Sequence, residues 1–153
     1  MVISGETMLI GSFKNNIGDK NRVAFPIKFK NELGSSLIVT KGYENCLIIV
    51  DKSKFSGLMN SIKDVPFVNS GLRDTKRFLI GSAQEIELDK QGRFVIPPDL
   101  KKYASLGNEC VFIGLVDWIE LWDKSIWDKK EESINSKSSE ISDKLSELLN
   151  RDK

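Results

Sequence analysis

At 153 residues, 40% hydrophobic and 29% charged, the chain has the size of one domain or two very small ones and an ordinary globular make-up, which excludes collagen-like and wholly disordered classes. Its longest apolar runs, residues 46–50 and 110–113, fall far short of the ~20 residues of a membrane span, and residues 1–6 show no basic stretch before a long apolar core, so no secretory signal is visible and a cytoplasmic protein is expected. Histidine is absent and the net charge is only +1, which removes histidine-based nucleophiles and the commonest metal ligand.

No phosphate-loop or dinucleotide glycine motif occurs, and no cofactor, metal or small-molecule ligand is expected. Cys46 and Cys110 lie far apart, each inside an apolar run, and read as buried free thiols rather than a metal or redox pair. The near-neutral charge hides an asymmetry: residues 8–63 carry nine Lys/Arg against four acids, residues 64–153 fourteen against seventeen. A positive first half attracts polyanions or is simply a solvated face; charge alone leaves both open.

In chain order, residues 11–17 read as a strand that enters a polar turn ending at Arg22. An apolar strand over 23–25 is stopped by Pro26, which cannot donate to a ladder. Pro then opens a short helix over 27–33, closed by Gly34. Strands over 37–40 and 46–50 follow, joined by a turn at 41–45. The spacing of Phe55, Leu58, Met59 and Ile62 predicts a helix broken at Pro66, and a second helix capped by Ser70 runs to Ile80, stopped by Gly81, with Arg73 and Arg77 on one face.

The pattern then recurs. A strand over 84–88 leads through a turn to Arg93, then come an apolar strand over 94–96, Pro97, a helix over 98–104 ended by Gly107, and strands over 109–114 and 118–122. Arg22 meets Arg93 and Pro26 meets Pro97 at one offset, and Asp51-Lys52-Ser53 meets Asp123-Lys124-Ser125 after a single-residue slip. Internal repeats of this kind decide the architecture. Two such units are too small to be stable apart, so their apolar faces are expected to pack as one pseudo-symmetric β core. Trp118, Trp122 and Trp127 serve either that core or subunit contacts. Past Trp127 the chain turns polar, and residues beyond about 133 are expected to be mobile, or helical only on a partner, through Ile141, Leu145, Leu148 and Leu149.

The repeated turn, intact as Asp89-Lys90-Gln91-Gly92-Arg93 with Pro97, resembles the DxxxR motif of SpoVT-AbrB swapped-hairpin domains. With residues 73–83, Gly42-Tyr43-Glu44-Asn45-Cys46-Leu47 and Glu120-Leu121-Trp122, the tandem arrangement resembles the MraZ family from Met8 through Trp127. The resemblance implies a mainly β, α+β fold: two swapped-hairpin repeats packed as one pseudo-symmetric β barrel, with short connecting helices. Repeat one spans 12–54, a helical connection 55–82, repeat two 83–126, and a C-terminal helix and mobile tail 127–153. It further implies a cytoplasmic, nucleoid-associated transcriptional regulator without enzymatic activity. Such a protein binds short G-containing direct repeats in promoter DNA of the division and cell-wall gene cluster, usually as a repressor and as a ring-shaped homo-oligomer.

For the site, Arg22 and Arg93 are expected to read or abut bases, since the planar fork of Arg matches the two major-groove acceptors of guanine. Lys20 and Lys90 are expected on phosphates, with Lys14, Asn15, Asn16 and Gln91 beside them. Asp89, Gly92 and Asn21 support the motif. Arg93 held by Asp89 merely to close its turn is the competing reading. Copy one departs from the motif: Gly18 stands where the acid belongs, Asp19 is displaced by one, and Asn21 replaces the glycine. Without the acid, Arg22 is expected to be freer. Two rivals remain: an antitoxin-like interaction module that uses residues 141–149, and an enzyme built on Glu85, Glu87 and Asp89, which alternate as a solvated strand face does.

Overall fold

The alternation of short strands and helices is realised over residues 8–63 and 68–151, which the computed structural model describes. The expected helix break at Pro66 and residues 1–7 lie outside the described residues. The first copy supplies β1 (Leu9–Asn16), β2 (Arg22–Ala24), α1 (Ile27–Leu33), β3 (Ser36–Lys41) and β4 (Leu47–Asp51). Next come α2 (Lys52–Ile62) and α3 (Ser70–Leu79). The second copy supplies β5 (Gln84–Glu87), β6 (Arg93–Val95), α4 (Pro98–Tyr103), β7 (Glu109–Val116) and β8 (Ile119–Asp123), before α5 (Lys124–Ser136) and α6 (Ser138–Arg151).

The repeated Asp-Lys-Ser is a repeated helix cap, because a carboxylate at this position accepts otherwise orphaned N–H groups. Asp51 accepts the Lys54 N–H at 3.2 Å and the Ser53 hydroxyl at 2.9 Å. Asp123 accepts the Ile126 N–H at 3.3 Å, the Ser125 hydroxyl at 2.7 Å and, from outside the helix, the Gly107 N–H at 2.9 Å. The cap of α3 is Asn69, whose side chain accepts the Leu72 N–H at 3.1 Å; Ser70, expected in that role, is the first helical residue.

Six strands form one antiparallel sheet in the order β1-β7-β8-β4-β3-β5, and β2 and β6 form a separate two-stranded ribbon. The first strand of each copy therefore pairs with the third strand of the other: Asn15 opposite Cys110, and Ile86 opposite Leu37. The two exchanges are equivalent down to their terminal bonds, Ile17 N–H to Asn108 O at 2.8 Å and Leu88 N–H to Ser35 O at 3.0 Å. Read backwards, the sheet order converts each element into its repeat mate, which is the pseudo-two-fold expected from the duplication. Neither copy owns a complete sheet.

One core joins sheet and ribbon. Val23, Phe25, Phe94 and Ile96 from the ribbon segments, Phe29 and Leu100 from α1 and α4, and Val39, Ile49, Phe112 and Leu121 from the sheet belong to a single buried cluster. Phe112 meets Phe25 edge-on at 5.7 Å between ring centroids. On the other face of the sheet Trp122, with Cys46, Val111 and Ile113, packs under Ile126 and Trp127 of α5, and the two indoles lie 5.4 Å apart. Of the three tryptophans Trp118 is the exposed one.

Residues 138–151 form helix α6 directly after α5, in the region where a C-terminal helix is expected, with Ile141, Leu145, Leu148 and Leu149 all exposed. Among the described residues no helix is long and apolar enough to cross a membrane.

Both cysteines are buried and unpaired, as expected. Burial is the main cause pushing each thiol up to about 12, with nearby carboxylates adding to it. Because only the thiolate is nucleophilic, neither cysteine should react with a disulfide reagent in the folded protein at pH 8. Both should titrate at once in denaturant. Reaction of either thiol within minutes under native conditions contradicts the burial.

Candidate nucleic-acid interface

The two arginine turns share one closing backbone bond; between its ends Lys20 and Asn21 both take positive φ in the first, and Gly92 alone does in the second. In the first, the Gly18 N–H reaches the Arg22 carbonyl at 2.8 Å and the Arg22 N–H returns to the Asp19 carbonyl. In the second, the Asp89 N–H reaches the Arg93 carbonyl at 2.8 Å, and Gly92 N–H bonds Asp89 O at 2.9 Å. The left-handed position before each arginine is Gly92 (φ 76°) in one and Asn21 (φ 61°) in the other. Asn is among the few side-chain-bearing residues that occupy this region readily. Lys101 of α4 donates to the Asn21 side-chain oxygen at 2.6 Å, which holds the first turn from the opposite copy.

The ribbon brings the arginines together. Its register places Arg22 opposite Val95, Val23 opposite Phe94 and Ala24 opposite Arg93. Val23 and Phe94 point into the core. Strand side chains alternate, so Arg22, Ala24, Arg93 and Val95 share the outward face. The arginines are diagonal neighbours there, a geometry that sets such residues about 7–8 Å apart, with their Cβ atoms somewhat closer. Each turn is tied to the far end of the other strand, through Phe25 N–H to Gly92 O and Ile96 N–H to Asn21 O, both 2.9 Å. The face thus runs continuously from one turn, across both arginines, to the other turn.

Asp89 organises the second turn. One carboxylate oxygen accepts the N–H groups of Gln91 and Arg93, both at 2.9 Å, and the other accepts the Arg93 Nε–H at 3.3 Å. The Arg93 backbone bond is the largest cause that holds this carboxyl below its ordinary 3.8, with the Gln91 bond and the guanidinium charge helping against some desolvation. The bond to Nε leaves both terminal nitrogens of Arg93 without a partner among the described residues. An arginine offers guanine a fork of two nitrogens, and closing the turn through Nε leaves both terminal nitrogens open.

A depressed carboxylate pKa means that its contribution is complete above 3.8 and is lost as pH falls through the lower folded value. The Arg93 Nε–H resonance should accordingly hold its position down to about pH 4 and move only below, with no such transition in Asp89→Asn. A shift centred near neutral pH excludes this pairing.

Lys20, Lys90 and Gln91 are exposed at the turn tips. Arg22 makes no side-chain hydrogen bond or ion pair among the described residues, and neither does Asp19. Lys14 and Asn16 are exposed on the face of β1 that alternates away from the ribbon. Asn15 is spent on structure, its amide donating to the Ala24 carbonyl at 2.6 Å. Of the eight anticipated contact residues, Arg22 and Arg93 share the outward ribbon face, Lys20, Lys90 and Gln91 are exposed in the turns at its two ends, and Lys14, Asn15 and Asn16 lie on β1. Lys101 and Val95 were missed. Lys101 is the repeat mate of Lys30, and Val95 is an apolar residue left 48% exposed beside an arginine, a signal that burial alone reveals.

The acids of the enzymatic rival have separate partners: Glu85 pairs with Lys52 at 3.3 Å, Glu87 accepts the Ser36 hydroxyl at 2.7 Å, and Asp89 serves its own turn. Arg77 pairs with Asp74 within α3 at 2.7 Å.

Two copies of one strand-turn-strand unit, with first strands exchanged and arginine turns on a shared ribbon, define a tandem swapped-hairpin protein. The family described as "MraZ protein, putative antitoxin-like" matches residues 8–78 and 79–151, and the chain belongs to it. The Transcriptional regulator MraZ of Clostridium tetani (strain Massachusetts / E88) is 39% identical over 141 residues, 92% of this chain and 99% of that protein. The protein of the same name from Alkaliphilus oremlandii (strain OhILAs) is 38% identical over the same span and coverage.

Proposed function

We propose that this chain is a sequence-specific DNA-binding transcriptional regulator, a cytoplasmic, nucleoid-associated repressor that controls the division and cell-wall gene cluster containing its own operon. It binds short G-containing direct repeats as a ring-shaped homo-oligomer and performs no catalysis. The observation that carries the DNA reading is the shared outward face of Arg22 and Arg93 on a two-stranded ribbon. The major groove admits such a ribbon; the arginine forks suit guanine, Val95 suits a thymine methyl, and Lys20 and Lys90 suit phosphates on either side. The gene target and the ring rest on the family resemblance. An apolar groove lined by Ile48, Val50, Phe55, Leu58, Leu79 and Trp118 and the exposed stripe of α6 are the surfaces available for subunit contact.

A single subunit offers few base contacts, so tandem sites engaged by linked subunits supply the affinity. The test is selection from randomised duplexes, followed by gel shift on the upstream region of its own operon and native mass on the same sample. With about three phosphates neutralised per subunit, log K should fall against log salt with a slope of roughly −2.7 per engaged subunit. A flat salt response removes the electrostatic account. Deletion of α6 separates the antitoxin-like alternative, which its exposed apolar stripe favours: an interaction module then loses a protein partner, whereas the DNA face is untouched.

A further inference from the structure

We propose that the two arginine turns are unequal readers and that residue 18 sets the inequality. Arg93 is a prearranged base reader; Arg22, lacking a carboxylate at position 18, adapts to the base or phosphate beneath it. The inference rests on the DNA-binding reading above and specifies how its site discriminates.

The turns differ in backbone, with Lys20 and Asn21 both at positive φ in the first and Gly92 alone in the second, and in one carboxylate, which is what reaches the arginine side chain. Asp89 grips Arg93 at Nε and its turn at two backbone N–H groups, so the guanidinium is ordered before DNA arrives and its ordering cost on binding is small. The equivalent position holds Gly18, whose backbone (φ −86°, ψ −166°) is extended and open to any residue. A Cβ built there meets only the Arg22 carbonyl oxygen, at an ordinary 3.5 Å. Neither conformation nor packing demands glycine at this position; what its presence changes is the missing carboxylate. Asp19 does not substitute for it, since its carboxylate makes no hydrogen bond or ion pair with Arg22 and only its backbone carbonyl accepts the Arg22 N–H. The frame of the first turn is nonetheless secured, by its own backbone bonds and by Lys101 on Asn21.

The consequence is direction. A ribbon with pseudo-two-fold symmetry and equal arginines binds a site in either orientation equally well. One strong and one weak base position make the site polar, which is what alignment of successive subunits along direct repeats requires. Gly18 is a positioning residue by omission.

Selection from randomised duplexes with the wild type, Gly18→Asp and Asp89→Gly tests this, alongside the Arg Nε–H resonances of the free proteins. The wild type should show one G·C position discriminated by about tenfold or more and a partner position by less than about threefold. Gly18→Asp should raise the weak position to about tenfold, make the preferred site near-palindromic, and add a second protected Nε–H signal. Asp89→Gly should lower the strong position to the level of the weak one. Two equally discriminated positions in the wild type overturn the proposal while leaving DNA binding intact. So does a folded Gly18→Asp protein with its profile changed by less than twofold. No binding of the wild type to any duplex at low salt overturns both this inference and the proposed function.

Discussion

Replacement of both arginines, Arg22→Ala with Arg93→Ala, is expected to abolish sequence-specific DNA binding, lowering affinity for the selected site by about 30-fold or more. A bidentate arginine contact discriminates by about 1–3 kcal/mol, so about tenfold at a strong position and about threefold at a weak one multiply to that level. Stability should barely respond. Arg22 has no side-chain partner to lose among the described residues, and the Arg93–Asp89 pair is about 40% exposed on both sides, where solvent screens such pairs and they contribute little. The melting temperature should therefore move by less than about 4 °C. The contrast is with Lys20→Ala and Lys90→Ala, which should weaken all sequences alike and lower the salt slope by about one each. Fluorescence anisotropy at two salt concentrations, with calorimetry on the same samples, checks the result. If the double variant keeps its preference between selected and scrambled duplexes, the ribbon face is not the reading surface.

Phe112→Ala is the substitution with the largest expected effect on stability. The side chain is fully buried on β7 and meets both ribbon aromatics, Phe25 at 5.7 Å and Phe94 at 6.5 Å. Truncation of a buried phenylalanine costs about 3–5 kcal/mol, a large share of the 5–15 kcal/mol typical of a domain. Its site also decides how the loss is felt. Phe112 sits opposite Phe13 of the first copy and Leu121 of the second, where the exchanged strand crosses over. Unfolding should therefore remain one transition, with tryptophan fluorescence and far-ultraviolet circular dichroism coinciding in urea. All three tryptophans belong to the C-terminal half, so independently folding copies would separate the two probes. A split transition, or a loss below about 1 kcal/mol, contradicts a core shared between copies.

The elements, their order and the duplicated turn were legible in the residues because they rest on local chemistry. Pro26 and Pro97 must end a strand, Gly34 favours a helix stop, and residues 27–33 form the expected helix with the expected ends. The burial of Cys46 and Cys110 followed from apolar surroundings in the chain. Asn21 could be recognised as the stand-in for glycine from its tolerance of positive φ. At the C-terminus low hydropathy argues against a core, not against a helix, and α6 needs no core to satisfy its own backbone.

Partnership was not legible in this way. Gln84-Glu85-Ile86-Glu87 alternates identically whichever strand it joins, and only the family resemblance pointed to an exchange. Asn15, Lys14 and Asn16 look equivalent as a polar run, yet the pleat turns one toward the ribbon carbonyl and two away from it. The same distinction holds for the site as a whole. The chain's own chemistry settles that each copy carries an arginine after a tight turn, and that one turn has lost its carboxylate, since both depend on residues within five positions. That the two arginines share a face depends on β2 pairing with β6 across some seventy residues of chain, a choice made by burial of Val23 and Phe94 against a common core, and non-local burial leaves no periodic mark in the sequence.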